Sequence, residues 1–444
     1  MTLGRVHWAA ALVAIAALSA SRGGAAQTLT LEDVEARAQR ERPELVERRA
    51  SIEKARAEVG GVQAKSRPTL AARGDVTLAP GGQLVTVYDT NDTEYFVQGS
   101  RALGQADALL PQPRFTAMLS GKLTILDFGR TSLGERAAES ALRAEQQVLI
   151  QAKVELVRSA RSAYLAWIEA HETWQLAQKD SEVTAARTSS VRELILEGAR
   201  PATDATLSAY DEQLAKLRAT RARRATRVAF EALSAAVADK LPEASVPDPS
   251  VIEPEPQRPA PPVEGVSPAA AAPALRALEL QRDAALSAAR AADRSHAPQL
   301  DALGEFGLSG QDAELFPVYR AALSLSVPIY DGGAQSALAE QHRAEARGLD
   351  AHRQKLELAL QAQQSAAQSA IRATGEELAL TLELLATAET LLSQAEEHYR
   401  SGSDTLERVL SAQRSLVQAR REVLSAKLEN ARARLELAPV HIQE

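Results

Sequence analysis

The side chains that could carry catalysis or hold a metal are few in this chain and badly spaced for either. There is no cysteine, which excludes thiolate chemistry, disulfides and a lipid-bearing cysteine anchor. Past residue 26 the histidines stand apart, at His171, His296, His342, His352, His398 and His441. His342 and His352 are ten residues apart on one helical stretch, and cannot share an ion as an i, i+4 pair would. They read as structural or surface histidines. Gly81-Gly82 and Gly332-Gly333 lack the context of a phosphate loop and read as turns. Carboxylates are numerous but interleaved with basic residues, as on the solvated faces of helices. No catalytic residue, metal or cofactor is expected, and the chain reads as a non-enzyme. One charged pair has an interpretable spacing: Asp404 and Arg408 can pair at i, i+4, worth a few tenths of a kcal/mol if exposed. Alternatively Ser403 or Asp404 caps the helix that follows.

The elements that must position these residues come in two copies. Pro43-Glu44-Leu45 and Pro68-Thr69-Leu70 are 25 residues apart, as are Pro273-Ala274-Leu275 and Pro298-Gln299-Leu300. Asp127 precedes Gly198 by 71 residues, and Asp331 precedes Gly402 by the same 71. Equal spacings in each half mark an internal duplication. Pro68 to Asp127 spans 59 residues against 33 from Pro298 to Asp331, so the first copy carries an insertion, read as a surface loop over residues 80–112.

Residues 1–26 read as a cleaved secretory signal, with Arg5, an apolar stretch from Trp8 to Leu18, and Gly24-Ala25-Ala26 at its end. Beyond it no apolar run reaches the roughly 18 residues of a spanning helix, so any membrane span must be built from strands. The net charge of −7 is modest and not clustered, which excludes a nucleic-acid footprint. The first repeat covers 27–241, with strands at about 69–79 and 115–125 and a long helical hairpin at about 132–238. An extended connector over 242–273 holds ten prolines. The second repeat covers 274–438, with strands at about 299–309 and 319–329 and a hairpin at about 336–437. First helices at 44–66 and 274–296 open the repeats.

All four strands alternate with period two, and their polar positions include Arg73, Asp75, Lys122, Asp301, Glu305 and Arg320. A charged inner face with an apolar outer face is the pattern of a barrel around water. Four strands cannot close one, since about eight are needed to enclose even side chains. Three copies would supply twelve, so the expected fold is an α+β membrane protein, a trimeric 12-stranded barrel continued by a long α-helical coiled-coil tunnel. Each long helix would reach roughly 100 Å. Its seams are predicted at Leu156, Ala160, Ala163, Trp167, Ala170 and Trp174. Leu378, Leu382, Leu385, Leu392 and Tyr399 keep the same rhythm, as do the returns at Leu207, Tyr210, Leu214 and Leu217 and at Leu410, Val417, Leu424 and Leu428.

Specific residues resemble a known family. Leu29-Thr30-Leu31 followed by Ala38, Pro43 and Leu45 is similar to the mature start of TolC-type outer-membrane efflux proteins, and Val327-Pro328-Ile329-Tyr330-Asp331-Gly332-Gly333 resembles their strand-to-helix junction. Gly198 with Thr203-Asp204, and Tyr399 with Gly402, Leu410 and Ala412, resemble the two hairpin tips. The resemblance covers nearly all of the mature chain. It implies a homotrimer in the outer membrane of a Gram-negative-type cell, with a periplasmic helical extension. It also implies a passive exit channel serving an efflux pump through a periplasmic adaptor and an inner-membrane transporter.

By the same resemblance, Asp204 and Tyr399 match a pair that ties a closed gate. The chain departs from the pattern nearby: Asp404 stands where a gate Arg is found, and Arg408 and Ser411 where two Asp form an acidic ring. The gate candidates are therefore Asp204, Tyr399, Asp404 and Arg408. Gly198, Ala199, Arg200 and Pro201, with Ser401, Gly402 and Ser403, form the expected adaptor-docking tips. A type I protein secretion duct is the alternative within transport; a soluble periplasmic coiled-coil adaptor or scaffold is the alternative of another class.

Overall fold

Proline and glycine punctuate the chain where its period changes. The computed structural model describes residues 28–40, 42–80, 85–88, 94–97, 111–253, 272–311, 314–440 and 442. Its first half runs β1 (Thr28–Leu29), α1 (Leu31–Ala38), α2 (Pro43–Ala64), β2 (Thr69–Pro80), β3 (Val85–Tyr88), β4 (Glu94–Val97), β5 (Pro111–Leu126), α3 (Arg130–Leu196) and α4 (Thr203–Val237). After it come β6 (Val246–Pro247), α5 (Pro273–Asp293), β7 (Gln299–Gln311), β8 (Glu314–Ser326), α6 (Ala334–Arg400) and α7 (Leu406–Leu437). The expected signal segment lies outside the described residues, as do 254–271 of the connector and much of the 80–112 insertion.

Several boundaries differ from the sequence reading, each for a local reason. The fourth strand begins at Glu314 and ends at Ser326, where 319–329 was expected. Pro328 has no N–H to give a ladder, and the early start follows from a two-residue connection that pairs Gln311 with Glu314. The insertion is more than a loop: β3 and β4 pair antiparallel, and β5 starts at Pro111. The connector is not wholly extended either, since Pro249 opens a 3-10 turn to Ile252. Residues 294–296 form a second such turn after α5.

Two compact units result. One comprises 44–151 with 266–359 and contains the sheet β2-β5-β7-β8, antiparallel throughout. Register places Arg73 opposite Met118, Lys122 opposite Leu303, Thr124 opposite Asp301 and Glu305 opposite Arg320, so Arg73, Asp75, Lys122, Asp301, Glu305 and Arg320 all stand on one face. The other face carries Leu70, Val76, Leu119, Phe306, Tyr319 and Leu323, all exposed. Gly307 of β7 has no room for a side chain: a Cβ there would sit 2.2 Å from the Ala117 carbonyl oxygen and 2.8 Å from Met118 Cα. Neither outer edge, on β2 or on β8, has a partner strand among the described residues.

Strand gives way to helix through the same device in both repeats. Asp127 accepts the backbone N–H of Gly129 at 3.0 Å and of Thr131 at 2.6 Å. Asp331 accepts those of Gly333 and Gln335, both at 2.9 Å. Each carboxylate supplies the acceptor for otherwise orphan helix N–H donors. Two successive left-handed residues make the corner, Gly332 and Gly333 in one copy and Phe128 and Gly129 in the other. Burial pushes the Asp127 carboxyl up, but the hydrogen bonds from Thr131 and Gly129 outweigh it and hold the group below its usual range. Asp331 is held low chiefly by the Gln335 and Gly333 N–H groups.

The second unit comprises the chain up to Pro43, 152–265 and 360–444. Its largest core gathers Tyr164, Trp167 and Ile168 of α3, Leu233 and Val237 of α4, Leu428 and Ala431 of α7, and Leu29 and Val34. Buried Arg161 organises its margin: Nε meets Glu35 at 2.7 Å, and the Nη atoms donate to the carbonyls of Leu435, Ala438 and Pro439. The Tyr164 hydroxyl donates to the Leu29 carbonyl at 2.7 Å and accepts from Asp248 N–H at 3.0 Å. These bonds fasten β1, which pairs parallel with β6.

Farther along, α6 packs on α7 through Leu378 against Val423 and Ala426, and Ala388 against Leu416 and Ala419. One predicted seam is corrected here. Leu207, Tyr210 and Leu217 are exposed, and α4 instead buries Asp204, Ser208 and Ala215. Leu382 of α6 is exposed as well. The period was right, but that row does not face the rest of its own chain.

Candidate functional site

Both hairpins turn on a glycine in the left-handed region, Gly198 at φ 74° and Gly402 at φ 84°. At the first tip Gly198 N–H donates to Ile195 O and Ala199 N–H to Leu194 O; at the second, Gly402 N–H donates to Tyr399 O and Ser403 N–H to His398 O. This is the Schellman closure, which satisfies the last carbonyls of each long helix. It leaves Gly198, Ala199, Pro201, Ser401, Gly402 and Ser403 exposed, with Arg200 half-buried between them.

Just inside the turns the two hairpins are joined. Asp204 sits in the first turn of α4, where the helix dipole favours a carboxylate. Its Oδ2 accepts the Tyr399 hydroxyl at 3.0 Å, with both residues buried. Burial and the Asp204 carboxylate together push the Tyr399 hydroxyl up to about 12, so it stays a donor throughout the neutral range. The Arg200 guanidinium lies over the Tyr399 ring at 3.9 Å, a cation–π contact, and its Nη1 donates to the Asp404 carbonyl at 3.2 Å.

Asp404 Oδ2 pairs with Arg408 Nε at 3.2 Å, with the Arg side chain 69% exposed. The capping alternative is corrected: α7 is capped by Thr405, with no side-chain cap bond, and Asp404 Oδ1 accepts only the adjacent Thr405 N–H. Arg200 thereby links Tyr399 to Asp404, so the four gate candidates lie in one connected cluster. Under them Val191, Ala395, Leu406, Val409 and Leu410 form a small apolar core.

A second polar layer lies roughly two to five helical turns above the tips, and sequence reasoning missed it. Gln413 Nε2 donates to Asp180 at 2.8 Å and to Thr184 at 2.9 Å. Arg187 meets Glu396 at 2.9 Å, and Thr188 Oγ1 donates to the Ser208 carbonyl at 3.2 Å. Burial, then the Asp180 charge, push the nearby Asp211 carboxyl upward. The available signal was a set of buried polar residues, Thr184, Thr188, Ser208 and Gln413, interrupting apolar rows. Buried polar groups that bond one another fix a single register.

The polar strand residues belong to the other unit and are satisfied within their own sheet. Asp301 accepts Thr124 Oγ1 at 2.8 Å and pairs with Lys122 at 3.4 Å. Arg73 meets Asp75 at 2.9 Å and Arg320 meets Glu305 at 3.9 Å. No group of three or more His, Cys, Asp or Glu side chains among the described residues is placed to hold a metal. No described helix is long and apolar enough to cross a membrane.

Residues 268–440 match the family model described as outer membrane efflux protein. No curated protein matches the chain by sequence. Among solved structures, CusC, described in terms of folding and transmembrane channel formation, is 17% identical with a TM-score of 0.76, covering 94% of this chain and 94% of its own. The outer membrane protein VceC of Vibrio cholerae is 16% identical at 0.73, covering 92% and 94%. The MtrE outer membrane channel of Neisseria gonorrhoeae, in its open state, is 19% identical at 0.72, covering 91% and 86%.

Proposed function

We propose that this chain, which carries an outer membrane efflux protein domain over residues 268–440 and has the fold of outer-membrane efflux channels throughout, is the passive exit duct of a tripartite pump. The observation that carries the reading is the four-stranded sheet. One face is apolar and exposed, the other carries paired charges, and neither outer edge has a partner strand among the described residues. Lipid accepts the first face, water the second, and only closure by further copies removes the edges. Three copies supply twelve strands, enough for an open lumen.

The helices then form the periplasmic part, and their tips are what an adaptor, itself bound to an inner-membrane transporter, would grip. The exposed turns around Gly198 and Gly402 support that docking, and the buried Tyr399–Asp204 bond supports a gate held shut from within each protomer. Arg408, paired to Asp404, puts an ion pair where the related pattern has an acidic ring, so the entrance would select cations weakly.

Fractionation tests the reading. The protein should be recovered in outer membranes, migrate as a heat-modifiable oligomer and conduct ions in planar bilayers; quantitative recovery in the soluble periplasm would overturn it. A cysteine at Arg200 or Ser403 should crosslink to a co-expressed adaptor, and failure at both sites would remove the tips as the docking surface.

A further inference from the structure

We propose that neighbouring copies of this chain join along their helices through a charged heptad seam, the exposed row of α4 in one copy packing against the exposed row of α6 in the next. This rests on the reading that copies close a ring. Within the chain, α3 packs on α4 and α7, and α7 packs on α3 and α6. The shafts of α4 and α6 are therefore the outer members of the set, joined at the tip through Asp204 and Tyr399. A rotational ring of such units must place α4 beside a neighbour's α6, a head-to-tail contact that closes.

Both outer helices carry a spare apolar row. On α4, Leu207 (47% exposed), Tyr210 (68%) and Leu217 (45%) recur at heptad spacing together with Leu214. On α6 the row is Leu380 (66%), Leu384 (50%) and Leu391 (43%), separate from the Leu378, Ala388 and Leu392 side that faces α7. Rows spaced by three and four residues are those that interlock between helices.

Charge selects the pairing. From Lys216 to Arg227, α4 carries six basic residues and no acid; from Glu376 to Glu397, α6 carries six glutamates and no Lys or Arg. Arg221, Arg224, Arg227, Glu376, Glu377 and Glu383 form no ion pair within the chain among the described residues. Heights also agree. Thr188 bonds Ser208 and the adjacent Arg187 bonds Glu396, which sets Ser208 and Glu396 level on α3. Away from the tips, α4 then rises as α6 falls in number. Arg221 is thirteen residues from Ser208 and Glu383 thirteen from Glu396; Arg227 and Glu377 are each nineteen away. Rotation about an axis along the helices preserves these levels to within about one turn.

A chain with no native cysteine makes the test direct. Leu214→Cys with Leu391→Cys, oxidised in the full-length protein in membranes, should give covalent dimers and trimers, whereas each single variant should give none. Adding Arg221→Glu should lower the yield about fivefold, and adding Glu383→Arg to that variant should restore it. Absence of the link in protein that still runs as a native oligomer overturns this seam and leaves the channel reading intact. Absence of any oligomer by light scattering overturns the channel reading itself. A yield indifferent to both charge changes overturns the electrostatic selection.

Discussion

Tyr399→Phe removes one oxygen and tests whether the bond to Asp204 holds the tips together. The phenyl ring keeps its place under Arg200 and against Leu406 and Val409, so packing changes little. What is lost is a 3.0 Å bond from a buried hydroxyl to a buried carboxylate. A hydrogen bond to a charged group contributes roughly 1.5–3 kcal/mol. Asp204 belongs to the first hairpin and Tyr399 to the second, so any dilation that parts the hairpins breaks this bond, and its energy counts wholly toward the closed form. The lower figure corresponds to about a tenfold shift per copy. If three copies open together the shift approaches roughly a thousandfold, because well-separated contributions add. Single-channel recording in planar bilayers reads it directly: the variant should show higher mean conductance and a longer open dwell. Conductance and open fraction equal to those of the parent protein would refute the reasoning.

Other expectations follow from particular contacts. Gly307→Ala should impair the heat-modifiable oligomer on gels, because its Cβ would collide with the Ala117 carbonyl at a cost of about 1–3 kcal/mol. Gly304→Ala, with nothing within 4 Å of its Cβ, should not. Arg408→Asp should raise cation selectivity in reversal-potential measurements by exposing two carboxylates where an ion pair now stands. Because the folded Tyr399 hydroxyl is raised from 10.0 to about 12, its bond is fully present below pH 10 and lost as pH climbs toward 12. The open fraction should therefore rise in that window in the parent and not in Tyr399→Phe. Arg161→Met strands Glu35 and three carbonyls and should make the segment after Leu435 sensitive to limited proteolysis, since losing one partner of a buried pair costs about 3–5 kcal/mol.

Much of this architecture was legible because its periods are clean. Strict alternation placed Arg73, Asp75, Lys122, Asp301, Glu305 and Arg320 on one side of four strands, and register puts them on one face. Equal spacings announced twin junctions and twin tips, and the Asp127 and Asp331 caps repeat atom for atom. Heptad spacing, by contrast, cannot say which neighbour a row faces: Leu207, Tyr210 and Leu217 were assigned to their own hairpin, and the structure exposes them. The Asp180–Gln413 layer escaped notice because Gln413 and Asp180 are 233 residues apart, and nothing local marks two polar residues as partners. Arg200 was assigned to docking; its place over Tyr399 depends on a turn geometry that sequence does not display.

The bare edges of the sheet also govern how such a protein is made. Both outer strands, 12 residues in β2 and 13 in β8, offer rows of unbonded N–H and C=O groups flanking an apolar surface. If copies close a barrel as proposed, a lone chain is adhesive as well as incomplete. The helical unit has its own cores and can form early, but the sheet gains its missing bonds only when other chains arrive. Its formation is then a concentration-dependent encounter in competition with aggregation, and the stability of one protomer has no meaning apart from the supply of its neighbours. Expression level and the lifetime of the lone chain would then decide the yield of closed barrels as much as any contact within them.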